Sequence, residues 1–280
     1  MNIHAEKWHA YGNDFILVSD DLSDQSRLSR LAQSICKRHE GVGADGLVGF
    51  DRLATDARCR IFNMDGSEAE ISGNGVRCLA GFLKRELPQE NVFLIHSGAG
   101  VRMLTFLREE LGGFWFRADM GDPRFDPAAL PAAVQGETAL RHPIRVDEVT
   151  VEVNLVSLGN PHCVVFVPEF RQEEWAQLGS QLESHPIFPR RTNVEFVRVV
   201  DRHNIELRIW ERGVGKTFSS GTCSCASAAV SIRAKLADSP VHVHNEKGTL
   251  TVEWRHGEHI FIEGPAMPVW KGEFLWNSEG

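Results

Sequence analysis

The sequence is short of several things, and each shortage removes a class of function. There are six cysteines in 280 residues and no C-x-x-C pair, so neither a disulfide scaffold nor a paired-cysteine zinc site is indicated. Cys223 and Cys225 stand one residue apart. That is a poor zinc spacing, and they read as small residues buried on a helix. No apolar run approaches the roughly 18 residues of a membrane span. Positive charge is in deficit, with 30 Lys and Arg against 38 Asp and Glu and a net charge of −8. Nucleic acid is therefore not expected as the main partner, because phosphate backbones require clustered cations. "PRRTN" at 189–193 is the one compact basic patch. There is no P-loop, and "SGNG" lacks the third glycine of a dinucleotide fingerprint. No metal, flavin, pyridoxal phosphate or nucleotide cofactor is implied. The opening "MNIHAEKWHA" lacks a basic flank followed by an apolar stretch. The expectation is no secretory signal, a cytoplasmic location and free thiols.

What is present is an internal repeat. "CRIFNMDGSEAEISGN" begins at Cys59 and "LRIWERGVGKTFSSGT" at Leu207. Arg60-Ile61-Phe62 aligns with Arg208-Ile209-Trp210, and Ser72-Gly73 aligns with Ser220-Gly221, twelve residues from arginine to serine in both. Upstream, Gly12-Asn13 in "AYGNDFILV" matches Gly159-Asn160 in "SLGNPHCVVFV". Asn13 lies 59 residues before Ser72, and Asn160 lies 60 before Ser220. Four landmarks in one register indicate two homologous halves. We place the first at residues 1–118 and the second at 119–264, with the Pro- and Asp-rich "DMGDPRFDPAALP" from 119 as linker and the segment from about 265 to 280 packing back on the first half.

Alternating and apolar runs read as strands: "DFILV", "DGLVGF", "CRIFN", "VFLIH" and "FWFRADM" in the first half. The second half has "EVTVEVNLVSLG", "HCVVFV", "NVEFVRVV", "IELRIWE", "VHVHN", "TLTVEW" and "HIFIEG". A helix should follow each serine. After Ser72, Val76, Leu79, Leu83 and Leu87 recur at helical spacing; after Ser220, "TCSCASAAVSIRAKL" is almost all small residues up to Arg233. A helix that is apolar or small all round is a buried one. The fold class is thus α+β: two pseudo-symmetric domains, each a strand barrel or curled sheet around a central helix, with the active site expected in the interdomain cleft.

Each serine then sits where an extended run meets a helix start. Unpaired N–H groups and the positive end of the helix dipole suit that place to a carboxylate or phosphate. The simpler role for both serines is N-capping, which is compatible with catalysis. Arg60 and Arg208 read as structural partners of buried carboxylates, Trp210 as core or cleft wall, and Asp65 as a turn residue.

At this point the sequence resembles the diaminopimelate epimerase family, over essentially its whole length. "KWHAYGNDFILV" at 7, "RHEGVGADGLV" at 38, "NMDGSEAEISGNGVRC" at 63, "LGNPHCVVFV" at 158, "RTNVEFV" at 191, "WERGVGKTFSSGT" at 210 and "EGPAMPVWKGEF" at 263 carry the resemblance. It implies a cofactor-independent amino-acid epimerase or racemase of the lysine pathway, converting LL- to meso-diaminopimelate by two-base transfer of an α-proton. The two bases of the family are cysteines; here both positions are serine, Ser72 and Ser220. The family's Glu after Gly-Val-Gly is Lys216, and the glycine after Gly-Thr is Cys223. The resemblance carries Asn13, Asn63, Asn160, Asn193 and Arg212 to substrate binding, mainly at the distal end. It places Glu211 and His162 beside the reacting centre. The backbone of Gly73-Asn74 and Gly221-Thr222 would hold the α-carboxylate. The implied partner is a small amino-acid substrate, with no nucleic acid and no membrane, and a homodimer is compatible.

The serines pose a physical problem. A helix dipole supplies up to ~2 kcal/mol, about one and a half pKa units, which cannot produce an alkoxide near pH 7. A serine base needs a neighbour, and His162 or Glu211 are the candidates. Three readings stay open: an epimerase with modified bases; an isomerase on the same fold using Glu211 or His162 as single base; and a non-catalytic ligand-binding homologue, or a chain whose two cysteines were exchanged to trap a ligand. Cys78 and Cys225, further along the two helices, are expected in packing.

Overall fold

The computed structural model describes residues 1–69, 72–98, 100–130, 132–133, 139–171 and 174–277. The chain divides into two compact units, one of Met1–Ala118 with Glu263–Gly280, the other of Asp119–Ile262. Pro131, the last residue of the linker motif, lies outside the described residues.

The first unit runs β1 (Asn2–Ala10), β2 (Asn13–Ser19), α1 (Gln25–Ile35), β3 (Gly46–Leu53), β4 (Asp56–Asn63), β5 (Glu68–Ala69), α2 (Gly73–Glu86), β6 (Val92–Ser97), β7 (Gly100–Glu110) and β8 (Gly113–Asp119). The second runs β9 (His142–Val146), β10 (Val149–Ser157), β11 (Pro161–Phe166), α3 (Glu174–Glu183), β12 (Asn193–Asp201), β13 (Asn204–Glu211), β14 (Gly215–Thr217), α4 (Gly221–Arg233), β15 (Val241–Asn245) and β16 (Gly248–Glu253). The last strand, β17 (Phe261–Leu275), begins in the second unit and continues into the first.

Strand pairing repeats step by step. β1–β2 and β10–β11 are antiparallel, β2–β3 and β11–β12 parallel, β3–β4 and β12–β13 antiparallel. Next, β4–β6 and β13–β15 are parallel, and β6–β7 and β15–β16 antiparallel. In the first unit β7 pairs β8, β8 pairs β17, and β17 returns to β1. Eight strands thus close into a barrel, which leaves no unpaired edge.

A buried helix fills each unit. α2 packs against β1, β2, β6 and β7, and α4 against β10 through β13, β15 and β16. Eleven of the fourteen residues of α2 and ten of the thirteen of α4 are buried. The small residues of α4 let strands approach it from all sides, and Gly81 does the same for α2. A β-carbon there would lie 2.8 Å from the Trp8 ring.

The sequence reading omitted β1, β5, β7, β9 and β14 and two outer helices. α1 turns Leu28, Leu31, Ala32 and Ile35 inward, onto Ile16, Val18, Leu47 and Phe62. Its counterpart α3 packs Trp175 and Leu182 against Phe196, with Trp210 beside them. Among the described residues no helix is long and apolar enough to cross a membrane.

Candidate active site

The two serines occupy equivalent backbone positions. Ser72 is the N-cap of α2 in extended conformation, φ −133° and ψ 118°, and Ser220 is the N-cap of α4 at φ −142° and ψ 131°. Their side chains differ. Ser72 Oγ accepts a hydrogen bond from the Gly75 amide at 3.1 Å. Ser220 makes no such cap bond; its Oγ lies 3.5 Å from Thr222 Oγ1. In both helices the first-turn amides, including Gly73 and Asn74 in α2 and Gly221 and Thr222 in α4, have no acceptor within the helix. Amides left unpaired at a helix start are donors to which an anion can bind.

In the first unit Asn13 and Asn74 are joined. Asn13 follows a tight turn in which Tyr11 and Gly12 have φ of 51° and 86°. Positive φ at both central residues matches the twist of a hairpin, and glycine accepts it at no steric cost. Asn74 Nδ2 donates to Asn13 Oδ1 at 2.9 Å, and Asn13 Nδ2 donates to Asp45 Oδ2 at 2.8 Å. Arg77 donates to Asn74 Oδ1 from the next turn of α2. Asp45 is bound by Arg38, which also grips Asp14, and Lys7 completes the ion-pair cluster 2.8 Å from Asp14. Asn63, at the end of β4, is apart from this chain of bonds and donates to Ser67 Oγ at 2.9 Å.

In the second unit Asn193 is buried at the start of β12. It donates to the Pro161 carbonyl at 3.1 Å and accepts from the Arg212 amide at 3.0 Å. This ties the start of β12 to the turn after β13, where the Arg212 guanidinium reaches the Arg190 carbonyl at 3.5 Å. His162 is 1% exposed and held at both ring nitrogens, Nδ1 2.6 Å from Glu195 Oε1 and Nε2 2.9 Å from Asn160 Oδ1. It is therefore fixed in place and has no open nitrogen for a substrate.

Cys223 enters the same cluster from the first turn of α4. Burial pushes its thiol well above the ordinary range, and the negative charges of Glu195 and Glu211 push it further. The thiol also interacts with Ser220 and Glu195. Glu211 thus stands close enough to the start of α4 for its charge to be felt there. The sequence reading missed Glu195 altogether and gave Cys223 only a packing role. The signal was present, since Glu195 lies in the quoted "RTNVEFV".

The remaining residues fall as follows. Cys78 and Cys225 are fully buried, and burial raises the Cys78 thiol to about 12. Arg60 pairs with Glu68 at 2.6 Å and Arg208 with Glu246 at 3.2 Å. Trp210 donates to Glu183 at 2.8 Å. Asp65 accepts from the Ser67 amide in a turn, as its sequence context indicates. The exposed Lys216 places its ammonium 5.1 Å from the Trp175 ring centroid.

Comparison with known proteins is consistent along the whole chain. The family model for diaminopimelate epimerase matches residues 6–125 and 154–269. The diaminopimelate epimerase of Pelotomaculum thermopropionicum is 39% identical over 280 residues, covering 99% of this chain and 100% of that protein. That of Synechococcus elongatus is 37% identical over 278 residues, covering 97% and 98%. Among solved structures, a hydroxyproline epimerase from Agrobacterium vitis superposes with a TM-score of 0.73 at 13% identity, covering 100% of this chain and 94% of that one. That last likeness is one of fold.

Proposed function

The chain belongs to the diaminopimelate epimerase family, and from that premise we propose that it is a cofactor-independent epimerase. In this reading it moves the α-proton of an amino acid that carries a second charged amino-acid end, with LL-diaminopimelate as the first substrate to test. The observation that carries the reading is the full-length relationship to proteins of that name at 35–39% identity.

The chemistry follows from the helix starts. Removing a proton next to a carboxylate spreads negative charge onto that carboxylate. Amides fixed at the N-terminus of a buried helix stabilise such charge where it develops. Ser72 and Ser220 then occupy the positions from which a proton is taken or returned. A serine hydroxyl acts as base only when a neighbour accepts its proton. His162 is committed at both nitrogens, so in the second unit the group that serves Ser220 is Glu211. Asn193 and the Arg212 backbone, tied together, form the recognition element of that unit.

The position of Glu211 also favours one further reading, in which this carboxylate is the only base and the reaction is a one-base isomerisation. A single experiment separates the two. The protein is incubated with LL-diaminopimelate in D₂O and the α-proton signal is followed by NMR. Deuterium incorporation with formation of the meso isomer, reduced by about 10²-fold or more in both Ser72→Ala and Ser220→Ala, is the expected result. Exchange that survives in both variants and disappears in Glu211→Gln assigns the base to the carboxylate. Saturable binding without exchange removes both.

A further inference from the structure

Three buried side chains of the second unit converge on one point. In the parallel pair β11–β12, His162 lies opposite Asn193 and Val164 opposite Glu195. His162 and Glu195 are therefore on one face of the sheet, two residues out of step. Cys223 reaches them from α4. One donor atom of each residue lies within 4.8 Å of the other two. His162 is 1% exposed, Glu195 and Cys223 0%. His162 Nδ1 and Glu195 Oε1 are 2.6 Å apart, and the second carboxylate oxygen, Oε2, is buried without a hydrogen-bond partner among the described residues. Enclosing such an oxygen unsatisfied is costly. The cluster therefore calls for a positively charged ligand.

We propose that His162, Glu195 and Cys223 form a site for one thiophilic divalent cation of the zinc type. Imidazole, carboxylate and thiolate together are a donor set for Zn²⁺ or Co²⁺, whereas Mg²⁺ and Ca²⁺ take oxygen ligands. The charges close: one thiolate and one carboxylate neutralise a 2+ ion, and a neutral assembly is the one a buried site tolerates. Binding breaks the Cys223 S–H bond and displaces the proton held between His162 Nδ1 and Glu195 Oε1, releases both protons to solvent and forms the bonds from sulfur, nitrogen and oxygen to the metal, with no change of oxidation state. The imidazole is already oriented. With Nε2–H donating to Asn160 Oδ1 at 2.9 Å, Nδ1 is the nitrogen that faces Glu195 and offers its lone pair once the proton between them has left, the outer-sphere arrangement that fixes a metal-binding histidine. Ligand atoms around zinc are roughly 3–4 Å apart, so the three groups need only small adjustments, with the His162–Glu195 hydrogen bond opening to admit the ion. A water or the Ser220 hydroxyl completes the tetrahedron.

The test uses the full-length protein and does not depend on the proposed epimerase activity. Chelator-treated protein is titrated with Co²⁺ alone. One equivalent should bind, with a thiolate-to-cobalt charge-transfer band in the near ultraviolet and the visible bands of four-coordinate cobalt, both displaced by Zn²⁺. Cys223→Ser should abolish the charge-transfer band, and Glu195→Gln should weaken binding by at least ~10-fold. Cys59→Ala, which removes a buried thiol outside the cluster, should leave both intact. Circular dichroism establishes that each variant is folded. Absence of a thiolate band in the wild-type protein overturns the proposal, as does a band that persists in folded Cys223→Ser.

Discussion

Two serines in equivalent backbone positions do different local work, and this has a measurable consequence. Ser72 Oγ satisfies the Gly75 amide, whereas Ser220 forms no cap bond. Replacing an N-cap serine that makes its bond costs about 1 kcal/mol. Ser72→Ala should therefore lower stability by ~1 kcal/mol in urea unfolding, and Ser220→Ala by clearly less. Equal losses would show that the α4 start is capped in solution as α2 is. Asp14 gives a pH-dependent case. Burial raises its carboxyl, but hydrogen bonds from Arg38 and Lys7 outweigh that and leave it below the usual range. A carboxyl depressed in the folded state contributes stability above its unfolded pKa of about 3.9, and that contribution is lost as pH falls through the folded value. The melting temperature should fall on acidification below about pH 4, and Asp14→Asn should remove part of that slope while starting from a lower plateau. An unchanged slope in the variant would assign the acid sensitivity to other carboxylates.

At the scale of elements, the sequence exposed the buried helices and concealed the outer ones. α2 and α4 are legible because each follows a serine–glycine landmark and is apolar or small around its circumference. α1 carries a helical signal of its own, with Leu28, Leu31, Ala32 and Ile35 at the right spacing and Asp24 capping the Arg27 amide. The many polar residues between them mask it. β1 is obscured because its alternation changes phase, with Ile3 and Ala5 buried and then Glu6, Trp8 and Ala10. β7 turns Val101, Met103 and Leu107 outward and Leu104 inward, so its apolar residues do not mark a single face. Local geometry was legible wherever one motif carries it, as in the turn at Gly12-Asn13 or the helix start at Ser220-Gly221. His162 was singled out from its motif, but its cluster with Glu195 and Cys223 was not legible, because the three come from three elements with no local spacing. Outer helices also hold measurable energy. Leu31 is fully buried under α1, and Leu31→Ala should cost about 2–5 kcal/mol in chemical denaturation. Gly81→Ala pushes a methyl toward Trp8 and should cost about 1–3 kcal/mol. A neutral Gly81→Ala would mean that the indole moves aside freely.

At the scale of the whole molecule, the closing strand decides whether the first unit is a barrel or an open sheet. β17 is the only strand described that lies between β8 and β1 in the pairing order. Its residues from Glu263 onward belong to the first unit although they come last in the chain. Three consequences follow if the chain is ended at Gly264. Ala266, which lies 3.0 Å from where a Gly81 β-carbon would be, is lost from the face of α2. Trp276, 4% exposed in the cluster beneath α1, is lost from that core. And β1 and β8 become free edges, nine and seven residues long, which is the arrangement natural sheets avoid because another chain can pair with it. The second unit keeps α4 and the strands β9 to β16. The truncated protein should therefore be recovered mainly as aggregate, with its soluble fraction retaining protection from hydrogen exchange in β10–β13 and losing it in β1–β4. Uniform protection across both units in a soluble, monomeric truncation would show that the barrel holds without its last strand.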